Sequence, residues 1–258
     1  MHGTICRVLS RGILSLAGLI GLMLCELTAK AEIAPPRIVC RAEMSSSRRL
    51  ELAEQLRVIT GWTKLRFDGD GVLRFGEAQP VDGSPTARAL FHSAQSGENL
   101  IVLEDASGRA DVVFSRVLAG RWKRQASDRP PAFVVQIDFA DFSRVRGDRD
   151  ARAAFNAGWG VMHEIDHVVH DSADANAAGV AGACEDSVNR MRRECGLAER
   201  AEYFFTFMPG AEGSAFRTRY VRLAFERVRE PNKRQRYWVF WDAELTGGLP
   251  GTHQMATR

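Results

Sequence analysis

The chain has 258 residues, of which 45% are hydrophobic and 26% are charged, a composition typical of a folded globular protein and not of a disordered or fibrous one. The length favours one domain once an export signal is subtracted. With 35 basic and 32 acidic residues, the near-neutral balance gives no sign of the basic surface that nucleic-acid binding needs. The basic cluster of Arg190, Arg192 and Arg193 is typical of a solvated helix face.

The N-terminus has the pattern of an export signal. Two arginines precede an apolar stretch at 13–24, and Ala29 and Ala31 then stand where an export peptidase cleaves. The apolar stretch is shorter than the roughly 20 residues of a membrane-spanning helix. We predict that residues 1–31 are a cleaved signal peptide, and that the mature protein is periplasmic or secreted with no stable membrane span.

The mature chain, 32–258, predicts a single domain with a first lobe at 32–130. The serines at 45–47 offer N-caps for a helix that ends at Gly61, and Ser84, followed by proline, favours the start of another. Apolar runs separated by Gly, Asp or Pro predict strands. In chain order we expect a strand at 37–41, a helix ending at Gly61, a hairpin at 65–75, a helix at 84–94 and strands at 100–104 and 111–117.

The second part of the chain, 131–245, is expected to precede a loose tail at 246–258. Together with the first lobe, its elements predict an α+β fold with a twisted sheet that is mixed or antiparallel. We expect the strand at 133–139 to form an edge of that sheet, beside the first helix that follows it. In chain order the pattern predicts a strand at 132–139, helices at 150–171 and 184–195, and a long hairpin formed by 216–225 and 236–241.

The segment from His163 to His167 carries the chemistry, because it contains the motif HExxH. Histidines four residues apart lie one above the other on a helix, so both imidazoles can bind one ion at about 2.0–2.1 Å, and zinc is the usual occupant. Glu164 projects toward the same ion and can take a proton from its bound water. An ordinary amphipathic helix is the alternative, but a charged Glu164 within an apolar run is costly without a partner.

A catalytic zinc ion needs a third protein ligand, and the residues leave several choices. His170 lies about 10 Å along the helix axis from His163, too far for one straight helix to bring both to one ion. Asp171 and Asp174 come just after the helix and would suit an aspartate-completed site. Glu185 opens the next helix and is the candidate that we favour, with Asp174, Asp171 and His170 as alternatives.

The second helix and the residues after it strengthen the metal interpretation. Glu185 and Asn189 share that helix, and Arg200 and Tyr203 follow as an Arg-x-x-Tyr. This block is similar to the second half of the small HExxH domains of bacterial effector and toxin-type metallopeptidases. The order of motif, loop and acidic helix resembles the glutamate-completed zincins, and the resemblance covers about residues 130–205.

That resemblance implies a zincin-like fold, in which a twisted sheet packs on the HExxH helix and on a second, ligand-bearing helix. It implies Glu185 as the third zinc ligand and Asn189 as a group that supports the ligands or orients substrate. It also implies Tyr203 or Arg200 as a stabiliser of the oxyanion, although a core aromatic is the alternative for Tyr203. The chain departs from related patterns in lacking the His-x-x-Gly-x-x-His extension of the metzincins and a thermolysin-type motif after the first glutamate.

Two further predictions concern single side chains. Asp166, inside the motif, is expected to orient a ligand or to face water and not to bind the metal. Cys184 and Cys195 would be about 16 Å apart on one helix, too far for a disulfide. A bridge from Cys40 to Cys184 or to Cys195 is the remaining pairing in an oxidising compartment.

Together these patterns predict an exported zinc metallopeptidase of the HExxH class that hydrolyses a peptide or protein substrate. His163 and His167 would bind Zn²⁺, and Glu164 would activate water. Two alternatives stay open. One is a secreted zinc-binding protein without catalysis, and the other is an envelope interaction protein in which the motif is accidental.

Overall fold

The fold is mixed α+β. The computed structural model describes residues 37–76, 79–119, 131–208, 219–230 and 233–247, so the predicted signal peptide and nearly all of the predicted tail lie outside it. None of the helices in these ranges is both long and apolar enough to span a bilayer.

The helices are α1 (Ser46–Thr60), α2 (Pro85–Ser96), α3 (Phe139–Arg144), α4 (Arg149–Ala153), α5 (Ala157–His170) and α6 (Ala183–Glu194). The strands are β1 (Ile38–Cys40), β2 (Arg66–Phe67), β3 (Leu73–Arg74), β4 (Leu100–Asp105), β5 (Ser115–Ala119), β6 (Ala132–Ile137), β7 (Arg146–Gly147), β8 (Glu199–Arg200), β9 (Thr206–Phe207), β10 (Tyr220–Glu230) and β11 (Lys233–Asp242).

Two sheets organise the described residues. The first has the order β1-β4-β6-β5, in which β1, β4 and β6 are parallel and β5 is antiparallel to β6. The second is antiparallel and has the order β7-β11-β10-β8, with β9 also paired to β10. Strands β2 and β3 form a separate hairpin, as predicted. The prediction of an α+β protein is confirmed.

The ends of the first two helices follow the capping residues of the sequence. Ser45 Oγ accepts a hydrogen bond from the backbone N–H of Arg48, and α1 ends at Gly61, whose φ is 74°. Ser84 caps α2 in the same way, with Pro85 as the first helical residue. Both helices were predictable because each cap is satisfied within a few residues of the chain.

The segment predicted as one helix at 150–171 forms two helices, α4 and α5. Asn156 separates them, because its backbone is extended and its side-chain oxygen accepts a hydrogen bond from the N–H of Trp159. The new helix α5 ends at Asp171, which is left-handed with a φ of 51° and donates its N–H to the carbonyl of His167. The prediction of one continuous helix is therefore wrong, since an internal asparagine starts a new helix instead of continuing the first.

The strand beside the HExxH helix is β5, and the edge position predicted for 133–139 is wrong. Strand β6 lies between β4 and β5, whereas β5 pairs with β6 alone among the described strands. Strand β5 also begins later than predicted, at Ser115. The apolar run of β6 suits an interior strand, because a strand covered on both faces needs no polar alternation.

Helix α5 packs on the first sheet through an apolar face. Val161, Met162 and Ile165 are fully buried in one cluster with Val135 and Ile137 of β6. Removing each such side chain from water contributes about 1.5–3 kcal/mol to folding. This packing fixes the rotation of α5 over the sheet, and so fixes the direction in which its histidines point.

A second apolar cluster joins the long C-terminal hairpin to the residues before β5. Phe225 and Val239 are fully buried there, and Trp241 meets the ring of Phe114 edge-on with 4.9 Å between ring centroids. The hairpin was predicted, and β10 and β11 pair along most of their length. The cluster supports the turn that carries Phe114 into the first sheet.

The three cysteines outside the predicted signal are free thiols, so neither predicted disulfide forms. Cys184 Sγ donates to the carbonyl of His163 at 3.3 Å, and Cys195 Sγ donates to the carbonyl of Ile59 at 3.4 Å. Burial raises the pKa of Cys40 to about 12 and that of Cys195 to about 11. The sulfurs of Cys184 and Cys195 are thus each directed to a backbone carbonyl and not to another sulfur.

Candidate metal centre

Helix α5 brings the two histidines of the motif together. Nε2 of His163 and Nε2 of His167 lie 3.1 Å apart, and the ring planes meet at 87°. A separation of four residues stacks side chains on one face of a helix. The two imidazoles therefore face one point.

Asp174 supplies a third donor atom at that point. Asp171 reverses the chain at the end of α5, and the residues after it return toward the helix. Asp174 Oδ1 lies 3.0 Å from Nε2 of His163 and 3.3 Å from Nε2 of His167. Among the carboxylates considered for the third ligand, Asp174 is the one that meets both Nε2 atoms.

The other ring nitrogen of each histidine faces a neighbouring group. Nδ1 of His167 donates to the carbonyl of Ser172 at 2.7 Å. Nδ1 of His163 faces Oε2 of Glu185 and Sγ of Cys184, each at 3.4 Å. When Nδ1 carries the proton, the lone pair lies on Nε2, so both Nε2 atoms turn lone pairs toward the shared point.

Three electron-pair donors that face one another repel unless a cation or protons lie between them. Tetrahedral ligands held at about 2.0–2.1 Å from a metal ion are about 3.3 Å apart. The separations here are 3.0, 3.1 and 3.3 Å. The donor set therefore fits a small divalent cation. Cys184 joins the other three in a group whose ligand atoms all lie within 4.8 Å of one another.

The electrostatics of the centre favour positive charge. A hydrogen bond to Asp174, followed by one to Cys184, raises the pKa of His167 to about 10. Burial lowers the pKa of His163, but hydrogen bonds to neighbouring groups, Asp174 first, outweigh burial and raise that pKa well above its ordinary value. Burial acts to raise the pKa of Asp174, yet hydrogen bonds from the two histidines hold it well below its usual range.

Glu164 lies beside the histidines and is 5% exposed. Ser115 Oγ donates a hydrogen bond to its Oε1 at 2.9 Å, and Glu164 forms no ion pair with any residue that the structure describes. Burial raises the pKa of Glu164, and the charge of His163 and the hydrogen bond from Ser115 oppose that rise. Glu164 also lines two neighbouring cavities, so it borders open space.

Two backbone features bring Ser115 to Glu164. Phe114 has a φ of 60°, a left-handed conformation that is uncommon outside glycine, and it sets the direction in which β5 begins. A Cβ atom at Gly160 would lie 2.9 Å from Ser115 Oγ, so glycine lets α5 approach β5 this closely. No sequence motif marked Ser115, because its role depends on a contact between distant parts of the chain.

Glu185 contacts His163 through the opposite ring nitrogen from Asp174. Its fully buried carboxylate accepts hydrogen bonds from Nη1 of Arg192 and from Nη1 of Arg200, the latter at 2.9 Å. Burial acts to raise the pKa of Glu185, but the two guanidinium groups lower it well below its ordinary value. Glu185 therefore lies outside the group of converging donor atoms and supports His163 from behind.

An ion group surrounds Glu185. Arg192, expected on a solvated face, is 2% exposed, donates to Asn189 Oδ1 at 2.9 Å and lies over the ring of Trp159. The expectation is wrong for this residue because a carboxylate partner on the same helix offsets the cost of burying its charge. Asn189 also bonds the N–H and the carbonyl of Arg200, so it holds the ion group and not the converging donors.

Tyr203 lies against the centre. Its ring stacks on that of His163 with 6.1 Å between centroids, and its hydroxyl forms a hydrogen bond with Asp174. Burial and then Asp174 raise the pKa of Tyr203, so the hydroxyl keeps its proton. The guanidinium of Arg200 lies over the same ring and is engaged by Glu185 and two backbone carbonyls. Tyr203, and not Arg200, presents a polar group to the centre.

Asp166 organises the chain after α5. It is buried and accepts hydrogen bonds from Ser172 Oγ at 2.7 Å, Ser187 Oγ at 2.8 Å and His170 Nδ1 at 2.8 Å. The carbonyl of the same Ser172 holds Nδ1 of His167. Asp166 thus acts on a histidine through Ser172, while His170 is half exposed and outside the donor group.

Two cavities meet at Glu164. One, of about 200 Å³, has mainly aromatic walls, and the other, of about 490 Å³, lies along β5 and the residues after α5. Ser115, His163, Glu164 and Tyr203 line both cavities. The two cavities therefore adjoin each other at the candidate centre.

Comparison of the chain with protein-family models, with curated proteins and with solved structures found no match. The function is therefore argued from the chemistry and geometry of this centre.

Proposed function

We propose that the protein is a zinc-dependent metallopeptidase in which His163, His167 and Asp174 bind the metal. The observation that carries the proposal is the convergence of three donor atoms within 3.0–3.3 Å of one another. This assignment makes the site aspartate-completed, in place of the glutamate-completed site that the family resemblance implies. A zincin-like fold, with α5 packed beside β5, is part of the same proposal.

Zinc suits the donor set because imidazoles and one carboxylate are common ligands of catalytic zinc. When bound, zinc lowers the pKa of a water molecule and polarises a carbonyl group. The contacts of Ser172 and Glu185 with the Nδ1 atoms hold the rings in the orientation that ligation needs. The chain therefore supplies both ligands and their supports.

Glu164 is the proposed general base. The oxygen of water attacks the carbonyl carbon of a peptide bond while the carboxylate of Glu164 takes one proton from that water. The resulting carboxylic acid returns the proton to the leaving nitrogen as the C–N bond breaks. Ser115 orients the carboxylate through Oε1, so we assign the transfer to Oε2.

Tyr203 is the proposed donor to the oxyanion. Its hydroxyl is protonated and lies at Asp174, beside the ring of His163. As negative charge develops on the carbonyl oxygen of the substrate, this hydroxyl can turn from Asp174 and donate to it. Arg200 is not assigned this role because its guanidinium is engaged elsewhere.

The proposed substrate is an extended peptide that pairs with β5. Among the described strands, β5 forms an edge of the first sheet, and an edge strand can accept a peptide as an additional strand. Such a peptide would pass Ser115 and Glu164 and could place side chains in the cavities on either side. The enzyme would work outside the cytoplasm, if residues 1–31 are the export signal that we propose.

A zinc-binding protein without catalysis is the second candidate. Cys184 belongs to the group of four possible ligands, and four protein donors form a closed structural zinc site. In that arrangement no position remains for water, and Glu164 has no reaction to serve. The two candidates therefore differ in the number of protein ligands to the metal.

Metal analysis and a mixed peptide library separate the candidates. We expect one zinc ion per purified chain and cleavage of the library, with Glu164→Gln keeping the zinc and losing cleavage by about 10²–10⁴-fold. Glu54→Gln, at an exposed carboxylate, is the matched control and should cleave normally. Zinc without cleavage by the unaltered protein would favour the structural site, and absence of zinc would overturn both candidates.

A further inference from the structure

The smaller cavity beside Glu164 has the size of one aromatic side chain. Its volume is about 200 Å³, and an apolar cavity of roughly 150 Å³ can hold a benzene ring. Ser115, His163 and Glu164 form one side of it, so a side chain bound there lies next to the proposed reacting groups. Its walls include the rings of Phe114, Phe142, Phe155, Phe204, Phe205 and Trp241.

A charged nitrogen of Arg192 also borders this cavity. Nε of Arg192 donates to the carbonyl of Ala154, and Nη1 donates to Glu185 and Asn189. Nη2 has no acceptor among the described residues, yet it is not one of the fully enclosed unpaired atoms. Arg192 is 2% exposed and lines the cavity, so Nη2 is the nitrogen of this lining guanidinium that is left without an acceptor.

The unpaired N–H groups of Nη2 favour a ligand with an acceptor atom. The charges that line the cavity balance, with carboxylates at Glu164 and Glu185 and guanidinium groups at Arg192 and Arg200, so the preference comes from this nitrogen and not from a net charge. A purely apolar ring that filled the cavity would separate Nη2 from water without replacing the lost hydrogen bond. A ring that carries an oxygen atom would fill the same space and accept the bond.

We propose that this cavity binds a tyrosine side chain of the substrate next to the cleaved peptide bond, with the phenolic oxygen accepting a hydrogen bond from Nη2 of Arg192. The proposal rests on the proposed peptidase function for its substrate, but the binding of the phenol ring does not require catalysis. Phenylalanine lacks the acceptor, and acidic side chains lack the ring that the aromatic walls fit.

Binding of two small probes to the full chain tests the cavity itself. p-Cresol carries the ring and hydroxyl of tyrosine, and toluene carries the ring of phenylalanine. By ligand-observed NMR we expect the Kd of p-cresol to be at least about tenfold lower than that of toluene, because a site with a hydrogen-bonding group rejects the analogue that lacks its partner. Equal affinities, or no binding of either probe, would overturn the proposal.

Two substitutions, one in the cavity lining and one on the exposed surface, test whether p-cresol binds in this cavity. Val113→Phe places a ring in the cavity lining and should weaken p-cresol binding at least tenfold, whereas Val228→Phe, on an exposed part of β10, should not. Circular dichroism checks that both variants fold, and the comparison of probes on the unaltered chain does not depend on them. Unchanged p-cresol binding in folded Val113→Phe would place the phenol elsewhere.

The substrate preference is tested with four peptides that differ only in the residue next to the cleaved bond, which is Tyr, Phe, Glu or Ala. We expect kcat/KM for the tyrosine peptide to exceed the other three at least tenfold. Cleavage of all four at similar rates would overturn the tyrosine proposal while leaving the peptidase function intact. Preferential p-cresol binding without cleavage of any peptide would uphold the cavity and count against the peptidase function.

Discussion

Asp174 and Glu185 contact opposite nitrogens of one imidazole. Asp174 Oδ1 lies 3.0 Å from Nε2 of His163, and Glu185 Oε2 lies 3.4 Å from Nδ1 of the same ring. Asp174 is a neighbour of both histidines, whereas Glu185 is held by the buried Arg192 and the partly buried Arg200. The two carboxylates therefore have different tasks, and substituting them separates ligation of the metal from support of a ligand.

Asp174→Ala should lower zinc affinity by more than about a hundredfold, because it removes a proposed ligand. Glu185→Gln should lower it by only about 10–100-fold, the effect typical of a group that supports a ligand. Glu185→Gln should also lower the free energy of unfolding by about 3–5 kcal/mol, since it leaves the buried guanidinium of Arg192 uncompensated. Competition with a chelating dye and urea unfolding measure the two effects. A larger zinc loss in folded Glu185→Gln than in Asp174→Ala would contradict this division.

Ser115→Ala should lower kcat about tenfold and leave KM nearly unchanged. The hydroxyl holds Oε1 of Glu164 at 2.9 Å, so its loss disturbs the orientation of the base, while the backbone of β5 that would pair with the peptide is kept. Ser115→Thr keeps a hydroxyl and should recover part of the rate. Ser143→Ala, at an exposed helix serine, is the control. A Ser115→Ala protein with normal kcat would show that the hydrogen bond has no role in positioning.

Gly160→Ala should lower activity more than it lowers stability. The added Cβ would lie 2.9 Å from Ser115 Oγ and 3.0 Å from the tip of Phe142, so the serine hydroxyl must shift away from Glu164. The steric strain lowers the free energy of unfolding, whereas the higher helix propensity of alanine over glycine raises it by about 1 kcal/mol. Because the two effects oppose each other, the net change in the free energy of unfolding should be small. Peptide cleavage and thermal unfolding measure the two quantities.

Gly69→Ala is the matched control for that variant, because a Cβ at Gly69 meets no atom within 4 Å. It should retain both activity and stability. Full activity in Gly160→Ala would mean that α5 and β5 need not approach closely for Glu164 to work.

Glu194 joins the last turn of α6 to the first turn of α2. Its carboxylate accepts hydrogen bonds from Ser84 Oγ at 2.5 Å, Thr86 Oγ1 at 2.7 Å and the N–H of Thr86 at 3.0 Å. Burial acts to raise the pKa of Glu194, but these hydrogen bonds outweigh it and lower the pKa below its ordinary value. The stabilisation is therefore present above the unfolded pKa of about 4.3 and is lost as pH falls through the folded pKa.

Glu194→Gln should accordingly reduce the free energy of unfolding by about 1 kcal/mol at pH 7, a modest value because the carboxylate is partly exposed, and by less at pH 3. Urea unfolding at the two pH values measures the difference. Glu43→Gln, at an exposed position, should change stability at neither pH. An equal loss at both pH values would show that the charge of Glu194 does not contribute.

Local features of the fold could be predicted from the sequence, whereas strand neighbours could not. Ser45, Gly61 and Ser84 mark helix ends because their caps are satisfied within one turn of the chain. The order that puts β6 inside the sheet and β5 outside depends on pairings between distant segments, which alternation of residues does not encode. Asn156 shows a smaller difficulty, since an asparagine is compatible with a helix interior but caps a new helix here.

The same division applies to the candidate metal centre. His163 and His167 could be paired from the sequence because four residues of helix bring them to one face. Asp174, and not Glu185, meets both histidines because the chain turns back at Asp171, which has a left-handed backbone. The sequence has no glycine at this position, so the turn could not be predicted. The contact of Ser115 with Glu164 joins a strand and a helix that are 49 residues apart in the chain, and the aromatic cavity combines residues from both sheets, so neither could be predicted from local patterns.

The tight reversal at Asp171 has a consequence for the evolution of the protein. All three converging donors come from one short stretch, 163–174, so assembling them closes only a small loop and costs little chain entropy. The convergence of the three donor atoms is therefore encoded within about one helix and its following turn, and residues elsewhere act on it as supports and not as sources of converging donors.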